Sequence, residues 1–151
     1  MEMRAADLVK DSLQIETLAP VKLKREWRGN RWEQKTRILF PGYIFAYSNS
    51  PLDIRLVNGL PYILKVLHYD DGDAVLRGRD REFAFWLVQH GGIVGISSAV
   101  IEGSRVKVVS GPLKELEGRI VKVDKRKQIA KVTFASYGTI KHFWLSFEVL
   151  Q

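Results

Sequence analysis

The chain has 151 residues, of which 46% are hydrophobic and 27% charged. This composition is typical of a folded protein and excludes an intrinsically disordered one. It contains no cysteine, which excludes a disulfide framework, a thiolate metal site and a cysteine nucleophile. The net charge is +7, an excess that suits either a solubilising surface or a polyanionic partner.

The first part of the chain predicts alternating helix and strand. Residues 5–13 have apolar side chains at helical spacing and predict a short helix. Residues 21–27 and 31–37 alternate apolar and charged side chains, and the turn signal Gly29-Asn30 joins them into a β-hairpin. An apolar strand over 38–47 follows, with a bulge or bend at its proline and glycine.

Further elements are predicted up to a glycine-rich segment. Residues 51–58 predict a helix, residues 63–67 a buried strand, and residues 80–90 a second helix with Asp80 as its N-cap. Residues 91–100 contain three glycines and two serines, a composition typical of a linker.

After the linker only short strands are predicted. They cover residues 104–109, 117–123, 129–134 and 140–145, and their regular spacing favours a small barrel. The sequence therefore predicts an α+β domain over 1–90, a linker over 91–100 and an all-β domain over 101–151.

Positive charge is concentrated in two places. Residues 22–37 hold seven basic and two acidic side chains, and residues 101–151 hold ten and five, so each segment carries +5. Clustered positive charge is the electrostatic footprint of a polyanion-binding protein, whereas a solvated surface is the alternative interpretation. Within the hairpin, Trp27 and Trp32 either stack on an unpaired base or pack on the sheet.

The first sequence motif covers residues 103–124. A strand with alternating valines leads into Ser110-Gly111-Pro112-Leu113, and Glu117-Gly118 precedes a second alternating strand. This pattern resembles a KOW motif, which also occurs in ribosomal proteins. We expect Gly118 to supply a backbone position without a β-carbon between two barrel strands.

The second motif, residues 37–45, reads Arg-Ile-Leu-Phe-Pro-Gly-Tyr-Ile-Phe and resembles the Phe-Pro-Gly-Tyr strand of the NusG amino-terminal (NGN) domain. With the linker and KOW motif after it, the chain resembles a NusG-family transcription elongation factor over residues 14–151. The short linker and basic hairpin make it most similar to the LoaP group of processive antiterminators. This resemblance implies an NGN-type antiparallel sheet with flanking helices, followed by an SH3-like KOW barrel.

The resemblance also implies a docking site for RNA polymerase. In the family an apolar depression of the NGN domain receives the clamp helices of the largest polymerase subunit, and the matching residues here are Phe40, Pro41, Gly42 and Tyr43. The alternative is that Phe40 and Tyr43 belong to the core. Strand alternation places them on different faces unless the strand bulges, so we expect at least one to point outward.

Nucleic-acid contacts are expected at both basic clusters. The hairpin could contact polymerase-bound DNA or nascent RNA through its cations. The candidate residues are Arg25, Arg28 and Arg31, with Lys22, Lys24, Lys35 and Arg37 in the same hairpin. LoaP proteins bind an RNA hairpin in an operon leader, so the resemblance implies RNA contacts in the second cluster. Its candidate residues are Lys107, Lys114, Arg119, Lys122, Lys125, Arg126, Lys127 and Lys131.

The sequence departs from the family in two places. Tyr137-Gly138-Thr139 stands where NusG has Phe-Gly-Arg, so contacts with Rho and with a ribosomal protein are not expected. The family opens with a Trp-Tyr strand and a complete helix, and because both are missing here we expect a truncated start that lacks the first NGN strand.

No catalytic arrangement is recognisable. His68, His90 and His142 are far apart and lack ligand spacing or a neighbouring nucleophile, so we expect no enzyme activity, catalytic residue, metal or cofactor. Because the sequence shows neither a signal peptide nor an apolar run of about 20 residues, we expect a cytoplasmic protein without a membrane partner. We also expect it to be monomeric. A structural RNA-binding KOW protein of the ribosome, without polymerase binding, is the alternative function.

Overall fold

The computed structural model describes residues 1–150 and shows a mixture of helices and sheets. In chain order the elements are α1 (Glu2–Leu13), β1 (Glu16–Leu18), β2 (Val21–Arg28), β3 (Arg31–Ile38), β4 (Phe45–Tyr47), α2 (Ile54–Asn58), α3 (Gly78–Gln89), β5 (Ile93–Val94), β6 (Ser97–Glu102), β7 (Arg105–Ser110), α4 (Pro112–Glu115), a 3-10 turn (Glu117–Arg119), β8 (Ile120–Asp124), β9 (Ile129–Ser136) and β10 (Thr139–Val149). Within the described residues no helix is long and apolar enough to cross a membrane.

The chain divides into two compact units. The first contains residues 1–20 and 38–92, and the second contains residues 21–37 together with the chain from Ile93 onward. The sequence places the basic hairpin in its domain 1–90, whereas this division groups the hairpin with the β-strands of the second half.

The first unit has a small core between its helices and the turn Phe40–Tyr43, which we name the aromatic turn. Helix α1 buries one side, including Val9, and helix α3 buries Phe83 and Leu87. The Phe40 ring meets those of Phe45 and Phe83 edge-on, with centroids 5.7 Å and 6.1 Å away. Strands β1 and β4 pair antiparallel beside this core.

Two local predictions in the first unit are wrong. Residues 63–67 form no strand, and Leu64 is 99% exposed, because an apolar run becomes a strand only where a partner strand accepts its backbone hydrogen bonds. The predicted helix is present as α3, but it begins at Gly78, and Asp80 is not its N-cap. The Asp80 carboxylate instead accepts a hydrogen bond of 2.5 Å from the Tyr69 hydroxyl.

The second unit contains two sheets. Strands β3, β2 and β5 form one, which confirms the predicted hairpin. The other has the order β7-β6-β10-β9-β8. Its long strand β10 pairs with β9 over residues 139–146 and with β6 over residues 147–149, so the sheet curls. The curled sheet, which buries Leu145, Phe147 and Val132, is compatible with the expected small barrel.

The segment predicted as a linker, residues 91–100, contains β5 and the start of β6 in the structure. Ser97, whose residue type favours a loop, lies buried on β6 instead. Its hydroxyl accepts a hydrogen bond of 2.9 Å from the Leu113 backbone N–H, which satisfies the buried polar group.

Candidate nucleic-acid interface

The basic hairpin packs against strand β10 within the second unit. The Arg25 backbone N–H donates to the Ser146 hydroxyl at 3.0 Å, and the Lys22 ammonium donates to the Trp144 carbonyl at 2.7 Å. Burial lowers the pKa of Lys22, and the neighbouring charge of Lys24 lowers it further. These contacts join residues about 120 positions apart in the chain, so no local sequence pattern could predict them.

Arg25 anchors the hairpin to the five-stranded curled sheet. Its guanidinium donates to Gln128 Oε1 at 2.6 Å and to the Phe147 carbonyl at 3.1 Å, and it stacks over the Trp32 ring at 4.4 Å. The sequence predicts Arg25 as a nucleic-acid contact, but the structure uses part of its hydrogen-bonding capacity inside the protein. Arg25 and Trp32 are both half-buried.

The tip of the hairpin carries two tryptophans and two exposed arginines. Trp27 and Trp32 meet edge to face with centroids 5.5 Å apart, Trp32 being half-buried and Trp27 exposed. Arg31 Nη2 lies 3.4 Å from Glu33 Oε1. This ion pair is solvent-exposed and therefore contributes little stability. Arg28 is exposed, so Arg28 and Arg31 are the hairpin cations at the tip.

Glu26 bridges two lysines across the hairpin. Its carboxylate lies 2.9 Å from Lys24 Nζ and 3.4 Å from Lys35 Nζ. The hydrogen bond and charge of Lys24, with a smaller contribution from Lys35, lower the pKa of Glu26 from 4.5 to about 2. Two of the hairpin's positive charges are thus partly neutralised within the sheet.

Acidification is expected to remove the stabilisation that Glu26 provides. Since its folded-state pKa is depressed, this stabilisation is fully present above about pH 4.5 and is lost as the pH falls toward 2. Urea unfolding of the native protein and of Glu26→Gln, repeated between pH 2 and 7, should give a free-energy difference that shrinks on acidification. A difference that stays constant over this range would contradict the assignment, and 1 M salt should reduce the difference at pH 7.

The turn between β8 and β9 presents three consecutive cations. Asp124 accepts a hydrogen bond of 2.9 Å from the Lys127 backbone N–H and so closes the turn. Lys125, Arg126 and Lys127 are exposed, and within residues 1–150 no carboxylate lies within 4 Å of their side-chain nitrogens. We name this group the cationic turn.

The other predicted barrel cations have nearby partners or lie apart from the turn. Lys107 lies 3.6 Å from Glu102, and Lys114 lies 3.2 Å from Glu117. Both pairs are exposed, so water and salt weaken them.

Two further cations lie side by side on neighbouring strands. Lys122 of β8 is paired in register with Lys131 of β9, and the Lys131 ammonium lies 5.9 Å from the Trp144 ring centroid. Arg119 is half-buried in the 3-10 turn.

An open groove of about 590 Å³ lies between the hairpin and the barrel strands of the second unit. It brings together predicted residues from both clusters, namely Arg25, Trp32, Lys125 and Arg126. The residues that sequence reasoning missed are Ile101, Gln128, Glu148 and Val149. None of these four is a cation or lies in the motif pattern of residues 103–124, so only the folded chain could have indicated them.

The predicted polymerase-binding residues separate into core and surface in the first unit. Phe40 is only 7% exposed, so it belongs to the core and offers no docking surface, whereas Pro41, Gly42 and Tyr43 are exposed. The Tyr43 N–H donates to the Phe40 carbonyl at 3.0 Å, and Gly42 has a φ of 86°. This tight turn places Tyr43 outward.

Two exposed aromatic residues accompany Tyr43 in the first unit. Tyr47 and Phe85 contact each other edge-on with centroids 6.0 Å apart, on β4 and α3. Both remain at least 37% exposed. Sequence reasoning did not select them, because an aromatic residue in a short strand or helix is more often buried.

Comparison with known protein families identifies a KOW motif at residues 102–134, which confirms this part of the sequence interpretation. The motif spans about a fifth of the chain and is consistent with a NusG-like or ribosomal KOW protein. No curated protein matches the chain. In the part of the chain that the structure describes, no group of three or more histidine, aspartate or glutamate side chains could hold a metal ion.

Proposed function

We propose that this protein is a NusG-type transcription elongation factor of the LoaP kind. It binds the clamp helices of RNA polymerase through an NGN-like first unit and promotes processive antitermination, recruited by an RNA hairpin in an operon leader. The observation that carries the proposal is the order of two features, an exposed Pro41-Gly42-Tyr43 turn followed by the KOW motif. Such a factor works in the cytoplasm as a monomer, without a cofactor and without enzymatic chemistry.

The cationic turn supports the RNA part of the proposal. Double-stranded RNA is bound mostly through its shape, its 2′-hydroxyls and its phosphates, and this requires cations on a rigid support. Lys125, Arg126 and Lys127 stand on the turn between two paired strands, where Asp124 fixes the backbone. Their charges are free to release counterions when they approach phosphates.

The exposed aromatic residues of the first unit support the polymerase part. A protein interface usually obtains most of its binding energy from a few aromatic or arginine side chains. Tyr43, Tyr47 and Phe85 are residues of this kind, and two of them already touch. DNA of the elongation complex is a further contact open to the basic hairpin.

Replacing Tyr43 by alanine is expected to weaken polymerase binding about tenfold or more, because a buried interface tyrosine is worth at least about 1–2 kcal/mol. The affinity for RNA should not change, since the cationic turn belongs to the other unit. Tyr62→Ala is the matched control, because Tyr62 is an exposed tyrosine of the first unit outside the aromatic turn. Polymerase affinity is measured by surface plasmon resonance, and equal losses in both variants would contradict the assignment.

The function itself is tested by transcription through a terminator on a template that encodes the operon leader. The protein is expected to raise terminator readthrough, and Tyr43→Ala to abolish this increase while Tyr62→Ala retains it. No change in readthrough with the native protein would exclude antitermination.

A ribosome-associated RNA-binding protein is the second candidate, favoured by the occurrence of KOW motifs in ribosomal proteins and by the cationic barrel. This candidate predicts RNA binding without polymerase binding, so the same two measurements distinguish it. Contacts with Rho are not proposed, because Tyr137-Gly138-Thr139 lacks the arginine of the NusG tripeptide.

A further inference from the structure

The groove between the basic hairpin and the barrel has the size of a small-molecule site. Its volume of about 590 Å³ lies within the range of roughly 300–1,000 Å³ that such sites occupy. It is open to solvent on one side, so a segment of a longer chain can enter it without threading. The lining provides three different chemistries, and each suits a different part of a nucleotide.

Lys125 and Arg126 supply positive charge to the groove lining. Both are exposed, and within residues 1–150 no carboxylate lies within 4 Å of their side-chain nitrogens. An arginine and a lysine next to each other can bind a phosphate through charge-assisted hydrogen bonds. These two cations suit the backbone of a nucleic acid and carry no information about its sequence.

A flat stack forms one wall. The Arg25 guanidinium lies over the half-buried Trp32 ring and is held there by Gln128 and the Phe147 carbonyl. Unpaired RNA bases stack on aromatic side chains and on arginine planes of this kind. Ile101 and Val149 add apolar surface to the same groove.

Glu148 is the acidic residue of the groove. Its side chain is exposed and has no cation within 4 Å among residues 1–150. An ionised carboxylate accepts hydrogen bonds and repels phosphate, so its nucleic-acid partner is a hydrogen-bond donor, either a ribose hydroxyl or a donor group of a base, and only the latter can select a base. The N4 amino group of cytosine is such a donor, whereas uracil has a carbonyl oxygen at the same position.

We propose that this groove binds one unpaired cytidine of an RNA strand. The phosphate lies against Lys125 and Arg126, the base against the Arg25–Trp32 stack, and the N4 amino group donates to Glu148. The inference rests on the proposed RNA-binding function for its choice of ligand. The groove would add a site that selects a base, whereas phosphate contacts made by the cationic turn cannot distinguish one base from another.

The test compares two RNA probes that differ only in the base, which is cytosine in one and uracil in the other. Fluorescently labelled hexacytidylate and hexauridylate are titrated with the full chain, and the native protein is expected to bind hexacytidylate at least about fivefold more tightly. Glu148→Gln should reduce this ratio to less than about twofold, because an amide offers both a donor and an acceptor and so accommodates either base. The variant is expected to fold, since the Glu148 side chain is exposed.

Matched variants separate base selection from charge. Glu117→Gln removes the same charge from an exposed residue outside the groove, paired with Lys114, and should retain the native ratio. Combined alanine substitution of Lys125 and Arg126 should weaken both probes by similar factors and leave the ratio unchanged.

Either of two results overturns the inference: equal affinity of the native protein for both probes, or an unchanged ratio in Glu148→Gln. These failures are distinct from a failure of the proposed function. Normal stimulation of readthrough without cytidine preference overturns the groove assignment alone. Cytidine preference without any effect on readthrough overturns antitermination alone.

Discussion

Alanine at Lys125, Arg126 and Lys127 together is expected to weaken binding to an RNA hairpin by one to two orders of magnitude at low salt. Each cation that contacts a phosphate releases counterions, and the logarithm of affinity falls with the logarithm of salt in proportion to the number of contacts. Losing three contacts should therefore reduce the salt slope by about two to three. Filter binding between 50 and 300 mM salt measures both quantities.

The matched control removes the same side chains from the first unit. Lys10, Arg55 and Lys65 are exposed there and contribute the same total charge. Their alanine variant should keep the native salt slope, with a small loss of affinity from the reduced net charge. If both triple variants lose the same affinity and salt slope, RNA binding depends on the net charge of the molecule and not on the cationic turn.

Gly111→Ala is expected to lower the free energy of unfolding of the second unit by about 2–5 kcal/mol. Gly111 has a φ of 94°, in a region that residues with a β-carbon rarely adopt. A β-carbon there would lie 2.7 Å from Ser97 Cα and 2.9 Å from Ser97 Oγ. The backbone of β6 would have to shift, and with it the hydrogen bond between Ser97 and the Leu113 N–H.

Gly118→Ala is the matched control within the same motif. Gly118 lies in the 3-10 turn and not between two strands as the sequence predicts, so that expectation is wrong, and a β-carbon there would meet no atom within 4 Å. Urea denaturation followed by tryptophan fluorescence should show a change of less than about 1 kcal/mol for this variant. Equal destabilisation by the two substitutions would show that contact with Ser97 is not the cause.

Local patterns predicted those elements whose stability depends on neighbouring residues. The hairpin over residues 21–38 follows from the period-two pattern on each side of Gly29-Asn30, and both of these turn residues have positive φ, near 60°. The apolar run 63–67 failed as a strand because pairing requires a partner elsewhere in the chain. Ser97 failed as a linker residue because its environment is set by Leu113, sixteen positions away.

The two positive clusters show the same division. Their positions and the charge of each followed from counting side chains. Two features depend on contacts between residues about 100 positions apart. They are the hydrogen bond from Arg25 to Gln128 and the groove that Lys125 and Arg126 share with Trp32. Local sequence patterns cannot predict such contacts, because chain folding brings together residues that are far apart in the sequence.

By itself the sequence determined the KOW motif, the absence of cysteine chemistry and the existence of two basic segments. Each of these depends on residue identity and on spacings of a few residues. Only the tertiary structure decided that Phe40 is core while Tyr43 is surface, that Arg25 is an anchor, and that Glu148 lies in a cationic groove. Burial and hydrogen bonding are properties of the packed chain, and they divide side chains of similar sequence pattern into those that support the fold and those that remain at the surface.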